Sequence, residues 1–397
     1  MNMKIIKEQR FDEERALYGL NEALVKGCVF DGPADGESAL KECQAITVDH
    51  CFFNLRYPFW HNHDLQIDHA EMSELCRAAL WYCDQVKIEH SQMHGIKALR
   101  ECANVSIAHC DIDSMEFGWF TKGIKMSDTD VKSEYFMMRS NDLHFTNVQF
   151  QGKYSFQYIK DAYFENCVLD TKDAFWHAEN VTVKNSVVKG EYLAWYSDGL
   201  TLINCKIIGT QPFCYCKNLL LINCEMIDTD LCFERSDLQA VVTSAIDSVK
   251  NPLSGFICAP QVGEVIMDLD AAKGVVLTNK IDQDDTSVQK QIDKNKAFVE
   301  CFIETQLAQM QMSPFADTDY LQLQLIEPSI SEKDFAAYLR ETYDLFLPYG
   351  KNHTADAKGF LRINTACSFE DLEALMMQLK QALTDFMMLH EQKEKSA

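Results

Sequence analysis

The chain has 397 residues and a formal net charge of −23 at pH 7. Nucleic-acid-binding proteins need a basic surface to displace phosphate counterions, so this charge argues against that class and against binding to anionic membranes. Residues 1–15 are polar and lack the apolar segment of a secretion signal. The sequence contains no run of 18 apolar residues, which is the length that a helix needs to span a bilayer. We therefore expect a cytoplasmic protein with sixteen reduced cysteines.

All five tryptophans fall into one column of a 19-residue repeat. This tryptophan column runs through Trp60, Trp81, Arg100, Trp119, Met138, Gln157, Trp176, Trp195 and Cys214. Each step is 19 residues except the first, which is two residues longer, as a small loop insertion would make it. A fixed period near 20 predicts coils that stack so that equivalent side chains touch.

The apolar pattern within one coil predicts two short strands joined at a corner. In one repeat, the apolar residues are Leu200, Leu202, Cys205 and Ile207. A step of two is typical of a strand with one buried face, and the step of three indicates a bend at Asn204. The corner position is asparagine in five coils, at Asn147, Asn166, Asn185, Asn204 and Asn223. Asparagine tolerates the left-handed conformation that such a corner needs.

Earlier coils carry histidine at the same corner, at His50, His69, His90 and His109. Histidine is also enriched in the left-handed region, so we interpret these side chains as structural and predict no metal site. A column of metal-binding imidazoles is the alternative.

Two further sets of turn residues complete the repeat. One set is Asp64, Asn104, Gly123, Asp142, Asp161, Asn180, Gly199 and Asn218, and the other is Gly95, Gly152, Gly190 and Gly209. Three corners per repeat predict three strands per coil. The expected fold is a mostly β, right-handed parallel β-helix of about eleven coils over residues 21–270, behind an N-terminal cap at residues 1–20.

The predicted third strand carries large aromatic side chains in adjacent columns. We expect the tryptophans to point inward, together with the small column that contains Cys83, Ser140, Ala178 and Cys216, because side chains alternate along a strand. Two columns would then face outward, one with Phe59, Phe156, Phe175 and Phe213 and the other with Tyr158, His177, Tyr196 and Tyr215. In the opposite phase, the tryptophans would face outward instead.

An outward aromatic face of this size is typical of a contact surface. We predict that the chain's own C-terminal domain or a second subunit covers it. A carbohydrate or other ring-shaped ligand stacked on Tyr158, His177, Tyr196 and Tyr215 is one alternative, and a face without a partner is another.

Asp111 and Asp130 share one outward column on adjacent coils, about 5 Å apart. This spacing is compatible with paired carboxylates that cleave glycosidic bonds. With 60 acidic residues in the chain, such a coincidence is expected, so we interpret the pair as part of a solvated face and keep Asp111 and Asp130 as weak catalytic candidates.

The repeat ends after Asp247, and a different pattern follows a predicted linker at residues 271–287. Helical spacing begins near Val288, residues 320–326 alternate like a strand, and residues 360–365 form another strand before a last helix. We predict a small α+β domain over residues 288–390.

Two resemblances accompany these patterns. The opening segment MKIIKEQRFDEERALYGL and the repeated Asn-Cys coils resemble a bacterial family of right-handed parallel β-helix proteins of unassigned function, over about residues 3–270. Residues 285–390, above all GFLRINTACSFEDLEALMMQL at Gly359–Leu379, resemble the C-terminal small domain of cystathionine β-lyase-type enzymes. That resemblance implies that Arg362 binds a small carboxylate ligand.

The resemblance also implies pyridoxal phosphate, but the cofactor domain with its Schiff-base lysine has no counterpart in this chain. We therefore expect no cofactor unless a partner chain supplies it. Our leading prediction is a non-catalytic β-helix that serves as a scaffold or binding protein. The alternatives are a lyase-like enzyme or the partner subunit of one, and a β-helix that binds or cleaves carbohydrate.

Overall fold

A computed structural model shows a parallel β-helix followed by a small α+β domain. It describes residues 3–278, 286–307, 310–314, 320–326, 331–343, 345, 347, 349–351, 359–364 and 369–396. The β-helix has about 14 coils, against the eleven predicted. The predicted count was too low within residues 21–270, and Lys4–Lys7 and Val275–Thr278, which lie in the predicted cap and linker, also form paired strands.

Each coil contributes one strand to each of two parallel ladders. The first sheet contains Lys4–Lys7, Asn21–Lys26, Gln44–Asp49, His63–Asp68, Asp84–Glu89, Ala103–Ala108, Lys122–Ser127, Asn141–Thr146, Lys160–Glu165, Glu179–Lys184, Asp198–Ile203, Leu219–Ile227, Asp237–Val242, Ser254–Ala259 and Val275–Thr278. The strand Lys4–Lys7 pairs on one side only among the described residues.

The second sheet contains Arg10–Phe11, Val29–Phe30, Phe52–Phe53, Glu71–Met72, Gln92–Met93, Asp111–Asp113, Asp130–Glu134, Gln149–Lys153, Val168–Lys172, Val187–Lys189 and Lys206–Ile208, which pairs with the end of Leu219–Ile227. Ile246–Lys250 pairs with Val262–Ile266, and Leu80–Trp81 pairs with Leu99–Arg100. Partners along both ladders are typically 19 residues apart, so equivalent side chains stack as the repeat predicts.

Two of the three predicted corner sets have the left-handed backbone, whereas in the glycine set Gly190 and Gly209 have positive φ and Gly95 and Gly152 do not. The asparagine corners have φ between 50° and 56°, and the histidine corners have φ between 46° and 55°. Every residue of the Asp64-to-Asn218 corner set also has positive φ. Because Asn, Asp, His and Gly tolerate this region better than other residues, their recurrence marks the bends correctly.

The predicted third strand is wrong in most coils. Apart from the two-residue strands Leu80–Trp81 and Leu99–Arg100, this part of the described coils is a turn segment. Alternate residues there have positive φ, for example Tyr154, Phe156 and Tyr158 at 57°, 60° and 58°. The side-chain alternation of an extended strand therefore does not apply. The column that contains Phe59, Phe156, Phe175 and Phe213 is buried in the core and does not face outward, and the tryptophans are half-buried rather than inside.

The tryptophan column itself is confirmed as a single line of contacts. Trp60 and Trp81 stack 4.9 Å apart, and the Arg100 guanidinium lies 5.3 Å from the rings of both Trp81 and Trp119. Each indole N–H donates to a backbone carbonyl of the next coil, as Trp176 does to Tyr192 O at 2.7 Å. Gln157, in the same column, donates its amide to Asp173 O at 2.9 Å. The column therefore ties neighbouring turn segments together.

The C-terminal domain has its own core. Its antiparallel sheet contains, in order, Met310–Pro314, Tyr320–Leu325, Gly359–Asn364 and Tyr349–Lys351. Three helices accompany it, α1 (Thr286–Gln306), α2 (Glu332–Tyr343) and α3 (Phe369–Ser396). Among the described residues, no helix combines the length and apolar content needed to cross a membrane.

In the described part of the chain, Arg340 of α2 contacts the first sheet. Arg340 Nη2 donates to Asn218 Oδ1 at 2.8 Å, and Nη1 lies 3.3 Å from Asp237 Oδ2. Near this contact, Ile203, Leu220 and Ile222 form a small buried cluster separate from the main core of the β-helix.

Candidate functional site

The outward aromatic column predicted from the sequence forms a continuous stack, here called the tyrosine-histidine ladder (Tyr158, His177, Tyr196 and Tyr215). Successive ring centroids are 4.8, 5.0 and 4.7 Å apart, with planes within 9° of parallel. Tyr158 and Tyr196 are 38% and 46% exposed. The ladder thus lies on the surface, as predicted, because its positions in the turn segment point away from the core.

Within the ladder, the faces of the rings pack against the neighbouring rings. Parallel rings about 5 Å apart leave no room for another ring between them, and the guanidinium of Arg139 covers the upstream face of Tyr158 at 4.5 Å. Between Tyr158 and Tyr215, the ladder therefore presents ring edges and polar tips to the solvent. Partial burial and the nearby Glu234 carboxylate raise the pKa of Tyr215 above its usual value. This geometry does not favour the stacking of a sugar ring.

The described contact of the C-terminal domain, through Arg340, lies on the first sheet rather than on the ladder. Among the described residues, no contact supports the expectation that this domain covers the aromatic face. Coverage by a second subunit stays a prediction.

Asp111 and Asp130 line a shallow surface groove of about 330 Å³ on the second sheet. The groove is lined by Asp111, Asp130, Val131, Lys132, Gln149, Phe150, Gln151 and Asp170. The two aspartates are register partners on adjacent strands, as the repeat predicts. The buried side chains of Val131 and Phe150 anchor these strands in the core, while the polar residues between them point outward.

Polar side-chain contacts, two of them ion pairs, occupy the two ends of the groove. Asp111 Oδ2 lies 2.9 Å from His94 Nε2, Lys132 Nζ lies 3.0 Å from Asp113, and Asp170 Oδ2 lies 2.9 Å from Lys189 Nζ. Between them, in the described chain, Asp130, Gln149 and Gln151 have no side-chain partner. Three neighbouring polar groups in the middle of the groove are therefore available to a ligand.

Sequence reasoning missed Lys132, Gln151, Asp170 and His94. A signal was present, because residues two positions apart on a strand share a face. The column two residues after Asp111 and Asp130, which contains Asp113, Lys132, Gln151 and Asp170, necessarily borders the same groove.

The groove is better suited to binding than to acid catalysis. Adjacent parallel strands place Asp111 and Asp130 at about the carboxylate separation of retaining glycosidases. A general acid, however, uses an apolar enclosure to remain protonated. The Asp111 side chain is 57% exposed and lies beside His94, which is a polar and solvated setting.

The histidine corner forms a second stack of rings on the same rod. His50, His69, His90 and His109 lie 4.6, 4.8 and 5.3 Å apart in succession. Asp49 and Asp68 each precede a histidine of the stack and contact its Nδ1. The hydrogen bond from Lys26, opposed by partial burial and supported by His50, lowers the pKa of Asp49.

Arg362 lies in the strand Gly359–Asn364, in register with Gln322, and its side chain is outside the described part of the structure. Its predicted carboxylate-binding role stays a prediction.

Comparison with solved structures gives several parallel β-helices with low similarity. The A-module of an Azotobacter vinelandii mannuronan C-5 epimerase matches at 8% identity and a TM-score of 0.24, over 69% of this chain and 87% of that one. A DFA-IIIase from Arthrobacter chlorophenolicus A6 matches at 10% identity and a TM-score of 0.20, over 73% and 78%. A periplasmic alginate epimerase matches at 8% identity and a TM-score of 0.19, over 65% and 72%. Scores this low carry no argument about activity.

A comparison with curated proteins found no match. A family profile matches residues 4–278, which is the whole β-helix and no part of the C-terminal domain. The lyase resemblance of residues 285–390 therefore has no support from these comparisons. The chain belongs to the family described as "Protein of unknown function (DUF3737)".

Proposed function

We propose that the chain is a non-catalytic binding protein, in which the β-helix is a rigid scaffold and the second-sheet groove receives a neutral, hydroxyl-rich ligand such as an oligosaccharide. The observation that supports this proposal is the set of three unpartnered polar side chains, Asp130, Gln149 and Gln151, on two neighbouring strands of one groove. A carboxylate accepts hydrogen bonds from hydroxyl groups, and the two amides both donate and accept.

The charge of the groove favours a neutral ligand over an acidic one. Lys132 and Asp170 each have a partner of opposite charge, in Asp113 and Lys189, and Asp111 lies beside His94. The carboxylate of Asp130 therefore brings the unpaired charge of the lining, and this charge is negative. A uronate polymer would meet like charges along this surface. A polymer of uncharged sugars would instead find equivalent side chains repeated from coil to coil, at the spacing of the strands.

The test is isothermal titration calorimetry of the full chain with short neutral oligosaccharides and, in parallel, with uronate oligosaccharides of the same length. We expect at least one neutral oligosaccharide to bind and the uronates to bind more weakly. Gln149→Ala and Asp130→Ala should each weaken binding about fivefold, the value of one hydrogen bond of about 1 kcal/mol.

Glu71→Ala is the matched control, because Glu71 occupies the same outward column upstream of the groove. It should leave binding unchanged. The proposal is wrong if no neutral oligosaccharide binds, or if the groove variants bind as tightly as the unaltered chain. If the unaltered chain releases reducing sugar and Asp130→Asn does not, the result would instead support the polysaccharide-cleaving alternative.

A further inference from the structure

The histidine corner carries more chemistry than the fold requires. At the same corner, five later coils have asparagine with the same left-handed backbone. Asparagine therefore satisfies the conformational demand without an imidazole. Four consecutive histidines place a column of nitrogen donors on the surface, and the three-dimensional arrangement of their neighbours determines what these donors can bind.

Asp68 connects two of these histidines. Its Oδ1 atom lies 2.9 Å from Nδ1 of His69 and 3.0 Å from Nδ1 of His90. His69 and His90 belong to adjacent coils, and their rings stack 4.8 Å apart with an interplanar angle of 22°. One carboxylate oxygen and two imidazole nitrogens thus converge on one small volume, with all three ligand atoms within 4.8 Å of one another.

We propose that Asp68, His69 and His90 form a surface site for a divalent transition-metal cation of the zinc, copper or nickel type. Two imidazoles and one carboxylate are a donor set that these metals accept. Donors at about 2.0–2.2 Å from a tetrahedral ion lie about 3.4 Å apart, so each oxygen–nitrogen distance opens by a few tenths of an ångström. The two imidazoles, which stack with centroids 4.8 Å apart, tilt toward each other so that both nitrogens face the ion.

The neighbouring triad of Asp49, His50 and His69 is the weaker candidate. Its carboxylate already forms an ion pair with Lys26, with 2.5 Å between Nζ and Oδ2. A cation there would compete with a fixed ammonium group. Asp68 has only the two histidines as ion-pair partners in the described chain, so its negative charge is available to a metal.

The site is open to solvent. The side chains of Asp68, His69 and His90 are 42%, 47% and 46% exposed. Three protein ligands at an exposed corner leave at least one coordination position to water or to a group from another molecule, as in sites where the metal does more than stabilise the fold.

The test is calorimetric titration of the full chain with zinc, nickel and copper(II) salts, each alone. We expect one site, and affinity reduced at least about tenfold in His69→Asn, His90→Asn and Asp68→Asn. Asparagine is the residue that later coils have at this corner, so the histidine variants should keep the fold. Thermal melting of each variant without metal verifies this.

His109→Asn is the matched control, because His109 lies in the same stack but follows Ala108 instead of a carboxylate. It should change the affinity by less than about twofold. The cobalt(II) complex should show no thiolate charge-transfer band, which separates this site from the cysteines. The proposal is overturned if none of the metals binds more tightly than about 1 mM, if His109→Asn loses as much affinity as His69→Asn, or if binding survives unchanged in the triad variants.

Discussion

Trp176→Phe tests whether the tryptophan column stabilises the rod through its hydrogen bonds. The indole N–H of Trp176 donates to Tyr192 O at 2.7 Å, and the ring stacks on Trp195 at 5.5 Å with an interplanar angle of 4°. Phenylalanine keeps an aromatic ring at this position but has no donor. The Tyr192 carbonyl takes part in no backbone hydrogen bond between coils in the described chain, so the substitution leaves it to water.

The expected loss of stability is about 1–2 kcal/mol. One hydrogen bond contributes about 0.5–1.5 kcal/mol, and the smaller ring loses part of the stacking energy, at most about 0.5 kcal/mol. Gln157→Leu removes the equivalent bond, from Gln157 Nε2 to Asp173 O, without touching an aromatic pair. It should cost about 1 kcal/mol.

The measurement is equilibrium unfolding in urea. Unfolding is monitored by far-ultraviolet circular dichroism rather than by tryptophan fluorescence, because the substitution itself changes the fluorescence. Met138→Leu is the control, since Met138 occupies the same column without a donor, and it should stay within about 0.5 kcal/mol of the unaltered chain. If Trp176→Phe and Gln157→Leu cost no more than Met138→Leu, the indole and amide hydrogen bonds do not hold the coils together and the reasoning is refuted.

Four further outcomes are expected. Gly152→Ala should destabilise the rod by more than about 2 kcal/mol in urea unfolding, because the added Cβ would lie 1.8 Å from a backbone oxygen of the preceding coil. In Gly19→Ala the added Cβ meets nothing within 4 Å, so this variant should cost only about 1 kcal/mol for its positive φ. Equal costs for the two variants would contradict this account. Arg340→Ala should speed amide hydrogen exchange around Asn218, and unchanged exchange would mean that this contact does not protect the first sheet. Tyr196→Ala should lower stability while leaving oligosaccharide binding unchanged, and a loss of binding would return the ladder to consideration as a ligand surface. The thirteen cysteines that are buried among the described residues should resist thiol reagents until the chain unfolds. Burial raises the pKa of several of these thiols to about 11 or 12, so the free energy of unfolding should fall as pH rises above about 9, and a flat profile to pH 11 would count against it.

The repeat and its corners could be predicted because each depends on local chemistry that recurs every 19 residues. Asn204 and its equivalents mark a left-handed bend whatever surrounds them, and the two-residue alternation of Leu200 and Leu202 indicates a buried strand face. Stacking then follows from the period alone. For this reason, the columns, including all five tryptophans, were assigned correctly.

The turn segment could not be predicted in the same way, because its conformation has no simple periodic pattern. Phe156 and Tyr158 both have positive φ, although neither residue type favours it. Contacts between coils hold them there, such as the hydrogen bonds from Phe156 N to Phe136 O and from Tyr158 N to Trp176 O, both at 2.8 Å. The orientation of the phenylalanine column was wrong for the same reason.

The candidate site was predicted only in part. The register of Asp111 and Asp130 followed directly from the repeat, but the contacts of Asp111 with His94 and of Lys132 with Asp113 depend on side-chain conformations. These pairs decide which polar groups of the groove remain available, and a single sequence does not contain that information.

Within residues 3–278, the strand Lys4–Lys7 pairs along one edge, with Asn21–Lys26, and no described strand pairs with the row of backbone donors and acceptors on its other edge. Such an edge is a template on which a second molecule could add a strand and begin fibre growth. Its outward side chains include two exposed lysines, one at each end of the strand. Two rods that met end to end at this edge would bring four ammonium groups together, and this repulsion opposes polymerisation into filaments.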